Sequence, residues 1–303
     1  MSIAIGIDIG GTFSKLVAVS RDGMVLLRAR LHTTDCPQEQ WRPEILSEVV
    51  KIEREVGHVE TLGVACPGLV HRDGQSIAWM KGRLSFLEGL NWTQALGRRA
   101  LVPVINDAHA ALKGEVWLGA GRGCSNVAML TLGTGVGGAI MCNGRVITGS
   151  MGRAGHLGHV TVDVTGPKDI VNTPGSLEAA IGECTLPQRS GGRFTATADL
   201  VAAHLRGDLE ATGVWQTSVR SLAAALASIL NVLDSERIIL GGGIASAGQA
   251  LFEPLRNFMD EYEWRPYGRA VEILPAELGD EAGAVGSAKH AMECYDAGRA
   301  ISN

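Results

Sequence analysis

The chain has 303 residues, a formal net charge of −5 and a hydrophobic content of 46%. This length accommodates two domains with a large core. The acidic balance argues against nucleic acid as a partner, and no apolar run reaches the ~18 residues of a membrane-spanning helix. The six cysteines show no paired spacing and the N-terminal segment has no cleavable signal pattern, so we expect reduced core thiols in a cytoplasmic protein.

A glycine turn between two strand patterns lies at the start of the chain. β-forming residues run over Ile3–Ile9, Gly10-Gly11-Thr12 follows, and a second β-forming run begins just after Lys15. Two glycines let the backbone approach a ligand closely and direct N–H groups at it, while Thr12 adds a hydroxyl and Asp8 a carboxylate. This set suits nucleotide phosphates and Mg²⁺. An ordinary hairpin turn explains the same residues equally well.

The same order of elements recurs in the second half of the chain. The strand pattern Val127–Leu132 is followed by Gly133-Thr134-Gly135 and a further strand pattern, Val136–Met141. Each half then has a helical pattern, a short strand and a glycine-containing break: Glu44–Val56, Thr61–Cys66 and Pro67-Gly68 in the first, and Val219–Leu233, Arg237–Leu240 and Gly241-Gly242-Gly243 in the second. This repetition predicts two similar α/β domains around a cleft.

We place the N-terminal domain at residues 1–112, completed by a C-terminal helix within 283–303, and the larger C-terminal domain at residues 113–282. The final helical pattern covers Ala282–Tyr295, and we expect a loose tail over Asp296–Asn303.

Polar residues follow the short strand pattern Val102–Ile105. Asp107, between a strand end and a helix start, is well placed as a general base toward a bound hydroxyl, and Asn106 can hydrogen-bond the same ligand. Helix capping is the alternative, and on these two residues alone it is favoured. His156 and His159, three residues apart in a glycine-rich loop, could bind substrate or metal, although such a pair is more often only polar surface. A metal would need more ligands than the sequence offers nearby.

Five short motifs follow one another along the chain: Asp8-Ile9-Gly10-Gly11-Thr12, Asn106-Asp107, Leu132–Gly138, Gly155-x-x-Gly158-His159 and Leu240–Gly243. In this order they resemble the ROK family, which comprises repressors, open reading frames and sugar kinases. ROK repressors carry an N-terminal helix-turn-helix. Here the strand pattern that carries the first motif begins at Ile3, so the resemblance is to the kinase branch.

The resemblance implies two actin/hexokinase-like (ribonuclease H-like) domains and a kinase that uses ATP and Mg²⁺. It identifies Asp107 as the base that deprotonates the sugar hydroxyl and Asp8 as the residue near Mg²⁺. Sugar contacts fall on Gly68, Asn106, His159 and Glu178. We assign contacts with ATP to Asp8, Gly10, Gly11, Thr12, Lys15, Gly133, Thr134, Gly135, Gly242 and Gly243.

The chain departs from the family pattern at two single residues and at the zinc motif. His156 stands where the usual motif has a glutamate, as it does in N-acetylmannosamine kinases, and Arg83 stands where the usual motif has an asparagine. We count both among the sugar contacts. Every cysteine of the family's zinc motif is replaced within Asp169–Glu178, so His159 has lost its partner ligands and no structural zinc is expected.

The predicted reaction is ATP-dependent phosphorylation of a hexose or amino-hexose, at O6, by a homodimer. N-acetylmannosamine, glucose and other amino sugars are the candidate acceptors. The alternative is a sugar-sensing protein of the same family with weak or lost catalysis. A nicotinamide dehydrogenase is disfavoured, because its G-x-G-x-x-G turn leads into a helix, whereas Gly10-Gly11 leads into a strand.

Overall fold

A computed structural model describes residues 2–33, 38–81 and 84–302, with the side chains of residues 38–40 and 300–302 excepted. Cys36 and Arg83 lie outside the described residues. The strands in chain order are β1 Ile3–Ile9, β2 Phe13–Ser20, β3 Val25–His32, β4 Val59–Cys66, β5 Leu69–Val70, β6 Ile77–Trp79, β7 Val104–Asn106, β8 Val127–Leu132, β9 Val136–Cys142, β10 Arg145–Val146, β11 Arg237–Gly241 and β12 Glu272–Pro275. The helices are α1 Gln38–Val56, α2 Trp92–Ala95, α3 Asp107–Leu118, α4 Leu177–Ile181, α5 Leu186–Arg189, α6 Thr197–Leu205, α7 Leu209–Leu233, α8 Gln249–Tyr262 and α9 Ala282–Ser302.

Two five-stranded mixed sheets repeat one strand order. The first runs β3-β2-β1-β4-β7 and the second β10-β9-β8-β11-β12. In each sheet the first two strands of the repeat, β1 with β2 and β8 with β9, pair antiparallel. The strands that follow the helices, β4 and β7 in one sheet and β11 and β12 in the other, add in parallel. The internal repetition predicted from the sequence is therefore present as a repeated topology.

The chain divides into two compact units. One comprises residues 1–123, 146–154 and 277–303, and the other comprises residues 124–145 and 155–276. The domain boundary drawn from the sequence between residues 112 and 113 falls inside α3, whereas the first unit continues to Gly123.

Alternation along β1 distributes its side chains between the two faces of the first sheet. The four isoleucines of β1 join the core that includes α1, whereas Ala4 packs against α9. Gly6 lies on this second face, where an added Cβ would stand 1.8 Å from the carbonyl oxygen of Ala284. Only a glycine lets α9 approach so closely. Asp8 follows on the same face, at the carboxyl end of β1.

The second unit is built around α7 and its sheet. Val219, Leu222, Leu226 and Ile229 are buried at helical spacing, which confirms the helical pattern predicted over Val219–Leu233. The indole N–H of Trp215 donates to the Ala250 carbonyl at 2.9 Å and joins α7 to α8. This packing supports β11, whose end carries the glycine run.

Two expectations from the sequence are wrong. The segment after Tyr295 is not a loose tail, because α9 continues to Ser302 and Asp296 accepts a hydrogen bond from Arg21 at 2.8 Å. The cysteines are not uniformly core residues: Cys66 is buried, but Cys184 is exposed. All the cysteines that the structure describes are free. None of the described helices is long and apolar enough to cross a membrane.

Candidate active site

The predicted base and the predicted magnesium residue lie at the carboxyl ends of two parallel strands of the first sheet. Asp8 is the penultimate residue of β1. Asp107 directly follows β7 and is the first residue of α3. Strand β4 lies between them, with Asp8 in register with Ala65 and Asn106 in register with Cys66. Carboxyl ends of parallel strands are where ligands bind in open α/β sheets.

Asn106 is the N-cap of α3. Its side-chain oxygen accepts from the backbone N–H groups of Ala108 at 3.0 Å and His109 at 3.2 Å. Its amide nitrogen donates to the Gly68 carbonyl at 3.1 Å. The capping interpretation is therefore confirmed for Asn106, and the bond to Gly68 ties the cap to a second predicted sugar contact.

Gly68 has a conformation that requires glycine. Its φ is +100°, and an added Cβ would lie 2.7 Å from the Met80 Cβ and 2.9 Å from the Trp79 carbonyl oxygen. The turn after β4 is thereby held against the segment that follows β6. No side chain would fit on the Cα of Gly68.

The Asp8 carboxyl group has a raised pKa. Burial, and then the negative charge of Asp107, raises the pKa of Asp8 from its ordinary value to about 7; Lys15 opposes this rise and Asp280 adds to it. Lys15 is the cross-strand partner of Asp8 and forms an ion pair with Asp280 at 3.6 Å. A cation placed among these carboxylates would relieve their repulsion, so the residues fit the expected Mg²⁺.

The first glycine turn exposes its threonine. The Gly10 N–H donates to the Phe13 carbonyl at 3.2 Å, and an added Cβ on Gly10 would lie 2.8 Å from that oxygen. Gly11 is partly buried, while Thr12 is exposed and its carbonyl accepts from the Thr33 N–H at 2.8 Å. The backbone of the turn is fixed, and its Thr12 side chain is accessible to a ligand.

The second glycine turn is braced by α4 and the residues after it. The N–H groups of Glu183 and Cys184 donate to the carbonyls of Gly133 and Thr134 at 3.0 and 2.8 Å. Glu178 accepts from the Val136 N–H at 2.9 Å, through an oxygen that lies 2.4 Å from where a Cβ on Gly135 would stand. Glu178 thus holds the turn, a contact that sequence reasoning missed, and its contact with sugar stays a prediction.

The glycine run after β11 has two different roles. Gly242 has φ +86°, and an added Cβ would lie 2.3 Å from the Leu132 carbonyl oxygen. Gly243 has open space where its Cβ would be. Gly242 therefore packs against the end of β8, while Gly243 presents bare backbone of the kind expected for an adenosine contact.

The histidine loop packs against β9 through its glycines. An added Cβ on Gly158 would lie 2.0 Å from the Val136 carbonyl oxygen, so this position accepts no side chain. The rings of His156 and His159 are nearly parallel, with an interplanar angle of 13° and centroids 6.4 Å apart. The Leu177 N–H donates to the Val160 carbonyl at 2.8 Å and brings the start of α4, with Glu178, next to this loop.

A carboxylate occupies one position of the missing zinc motif. Asp169 Oδ2 lies 2.8 Å from His159 Nδ1, and Asp169 Oδ1 accepts from the backbone N–H groups of Val171 and Thr173, both at 2.9 Å. No group of three or more potential metal ligands from histidine, cysteine, aspartate or glutamate occurs among residues 2–33, 38–81 and 84–302. These hydrogen bonds connect His159 to the turn that follows Asp169, and the absence of a structural zinc stays a prediction.

The first unit thus brings together Asp8, Lys15, Gly68, Asn106 and Asp107. The second brings together the glycine turn Gly133–Gly135, the histidine loop and Glu178. Two acidic residues with contacts to these groups were not assigned to the site from the sequence, Asp169 and Asp280. The replacement of a motif cysteine by Asp169, with His159 retained, was the available signal for the first of them.

Comparison with known proteins identifies the family. Residues 4–293 match the family model described as ROK family. The chain belongs to the ROK family. A glucokinase of Thermotoga maritima is 32% identical over 307 residues, which cover 94% of this chain and 95% of the relative. An N-acetylmannosamine kinase of Escherichia fergusonii is 30% identical over 293 residues, covering 94% and 96%.

The fold agrees with solved structures of the family. The crystal structure of a ROK family glucokinase from Streptomyces griseus, in complex with glucose and AMPPNP, superimposes with a TM-score of 0.78 at 27% identity, covering 96% of this chain and 100% of that one. The predicted α/β fold class and the resemblance to ROK sugar kinases are confirmed. The enzyme class predicted from the motifs, a carbohydrate kinase, is confirmed with them.

Proposed function

We propose that this ROK kinase transfers the γ-phosphoryl group of ATP to the O6 hydroxyl of a hexose or amino-hexose. The observation that carries the proposal is the placement of Asp8 and Asp107 at the carboxyl ends of two parallel strands, β1 and β7, that flank β4 in the same sheet, with Asp107 at the capped start of α3. ATP as donor is supported by the AMPPNP in the related Streptomyces griseus glucokinase. A hexose as acceptor is supported by the glucokinase and N-acetylmannosamine kinase relatives.

Asp107 serves as the general base. Its Oδ1 accepts from the Ala108 N–H at 2.8 Å, which orients the carboxylate at the start of α3. The base accepts the hydroxyl proton as the acceptor oxygen bonds to phosphorus. Because phosphoryl transfer passes through a loose transition state, positioning of the two reactants contributes most of the catalysis.

The glycine turns bind the phosphates. The N–H groups of Gly10 and Gly133 donate within their own turns. The remaining backbone N–H groups at Gly11–Thr12 and Thr134–Gly135 are the donors that we assign to the phosphates. Asp8 and its neighbours hold Mg²⁺, which when bound offsets the negative charge of the phosphates. Gly243, whose Cα faces open space, provides a surface for the adenosine.

His156 is the basis for the choice of sugar. A glutamate at this position would accept hydrogen bonds from two sugar hydroxyls, whereas a neutral histidine offers one donor and one acceptor. Loss of the carboxylate weakens binding of plain glucose, and the new donor suits an acetamido carbonyl. We therefore rank N-acetylmannosamine first, ahead of other amino sugars and glucose.

A sugar-sensing protein with lost catalysis is the second candidate. The replaced His156 position and the altered zinc segment favour it, while the retained Asp107 opposes it. Isothermal titration and a turnover assay on one sample separate the two functions. A kinase shows sugar binding together with sugar-dependent ADP release, whereas a sensor shows binding alone. A cytoplasmic location and a homodimer stay predictions.

A further inference from the structure

The carboxylate of Asp169 divides its two oxygens between different partners. Oδ1 accepts from the backbone N–H groups of Val171 and Thr173, each at 2.9 Å, and so closes the turn that follows it. Oδ2 lies 2.8 Å from His159 Nδ1. The Asp169 side chain is only 3% exposed, whereas that of His159 is 26% exposed. One end of the pair is therefore anchored in the protein and the other reaches the surface of the unit.

Asp169 is ionised under ordinary conditions. Burial alone would raise the pKa of Asp169, but hydrogen bonds from His159, Thr173, Ser176 and Val171 hold it below its ordinary value. An ionised carboxylate only accepts hydrogen bonds. The ring nitrogen that faces it must therefore carry the proton, which leaves Nε2 of a neutral imidazole with a lone pair.

The segment around this pair is held by backbone hydrogen bonds. The Val162 N–H donates to the Gly175 carbonyl at 2.8 Å, and the Asp169 N–H donates to the Thr173 carbonyl at 2.9 Å. Gly158, packed on Val136, fixes the backbone just before His159. The imidazole is thus set by a rigid backbone on one side and by a buried carboxylate on the other.

We propose that Asp169 is a positioning residue that fixes His159 in the Nδ1–H tautomer, so that Nε2 presents an acceptor to a hydroxyl of the bound sugar. The inference rests on the proposed function, in which His159 contacts the sugar. A carboxylate that hydrogen-bonds one ring nitrogen of a histidine fixes its tautomer and so controls what the other nitrogen can bind. Asp169 itself touches neither substrate.

The direct test is the tautomer of His159 in the full chain. Long-range ¹H–¹⁵N correlation spectra of histidine-labelled protein at about pH 8.5, where imidazole is neutral, distinguish protonated from unprotonated ring nitrogens. The His159→Gln variant assigns the signal by its disappearance. We expect a protonated Nδ1 in the wild type. In Asp169→Asn, the amide oxygen can keep the bonds to Val171 and Thr173 while its NH₂ faces the ring, so we expect a protonated Nε2.

The kinetic test uses a double-mutant cycle. Asp169→Asn should raise the KM for the sugar about 10- to 100-fold, the scale of loss when the partner that orients a binding histidine is changed, with the KM for ATP changed less than about twofold. In the His159→Gln background the same substitution should have no further effect, because Asp169 acts only through His159. Asp163→Asn is the matched control: Asp163 lies in the same segment and accepts from the Thr165 N–H at 2.9 Å, so its kinetics should stay at wild-type values.

Three results would overturn the proposal: a protonated Nε2 in the wild type, an unchanged tautomer in Asp169→Asn, or equal loss from Asp169→Asn with and without His159. A merely structural Asp169 would give additive losses and a raised KM for ATP. An inactive wild type would count against the proposed function, while the tautomer comparison would still decide whether Asp169 orients His159.

Discussion

Replacement of Asp8 by asparagine should stabilise the unliganded protein while it impairs catalysis. Burial and the Asp107 carboxylate raise the pKa of Asp8 from 3.8 to about 7. A carboxyl group whose pKa is raised in the folded state contributes its stability below its unfolded pKa and loses it as the pH rises through the folded pKa. The wild type should therefore lose stability between about pH 4 and pH 7, and Asp8→Asn should be spared that loss.

The magnitude follows from the two pKa values. A difference of about 3 pKa units, at 1.36 kcal/mol each, sets an upper value of about 4 kcal/mol. Asp8 is only partly buried, and the asparagine amide must also be accommodated, so we expect about 2 kcal/mol above pH 7. For a chain of this size that corresponds to roughly 4 °C in the thermal midpoint.

Thermal unfolding of both proteins, from about pH 4 to pH 8 in the presence of a chelator and without nucleotide, measures the difference. The advantage of Asp8→Asn should grow with pH and level off above about pH 7. Asp199→Asn is the control, because it removes the same charge from an exposed side chain of the second unit. If Asp8→Asn is less stable than the wild type at pH 8, or if its higher thermal midpoint does not depend on pH, then a raised pKa of Asp8 does not destabilise the protein.

Asp107→Asn should lower turnover by 10²–10⁴-fold, as expected for loss of a general base, while isothermal titration still shows sugar binding; turnover within about threefold of the wild type would remove Asp107 from that role. His156→Glu should shift the ratio of kcat/KM values toward glucose by roughly 1–3 kcal/mol relative to amino sugars, and a wild type that already prefers glucose tenfold over every amino sugar would contradict the argument. Elemental analysis of protein purified without added metal should find far less than one zinc per chain, because Asp169 and His159 alone cannot complete a tetrahedral site; stoichiometric zinc would show that the segment has been misread.

The repeated topology was readable from the sequence because local patterns produce it. Alternating isoleucines define β1, and the spacing of Val219, Leu222 and Leu226 defines the buried face of α7. The glycine motifs were also visible in the sequence, but the contacts that require glycine at these positions were not. Gly158 is required by the Val136 carbonyl and Gly242 by the Leu132 carbonyl, and such approaches between distant segments leave no local pattern.

The features that sequence reasoning missed depend on contacts between residues far apart in the chain. The sequence predicted a loose tail after Tyr295, but Asp296 accepts a hydrogen bond from Arg21, which lies 275 positions away in the chain. The resemblance identified Glu178 as a sugar contact, and its hydrogen bond with the Val136 N–H could be found only from the fold. The Asp8 pKa depends on Asp107, almost a hundred residues away.

Sugar phosphorylation by ATP is tested by measuring ADP release by the purified wild-type chain. The assay contains ATP, Mg²⁺ and, in turn, N-acetylmannosamine, other amino sugars and glucose. We expect release that depends on added sugar, with N-acetylmannosamine giving the highest kcat/KM. A rate that no sugar in the panel raises above the rate with ATP alone would contradict the account.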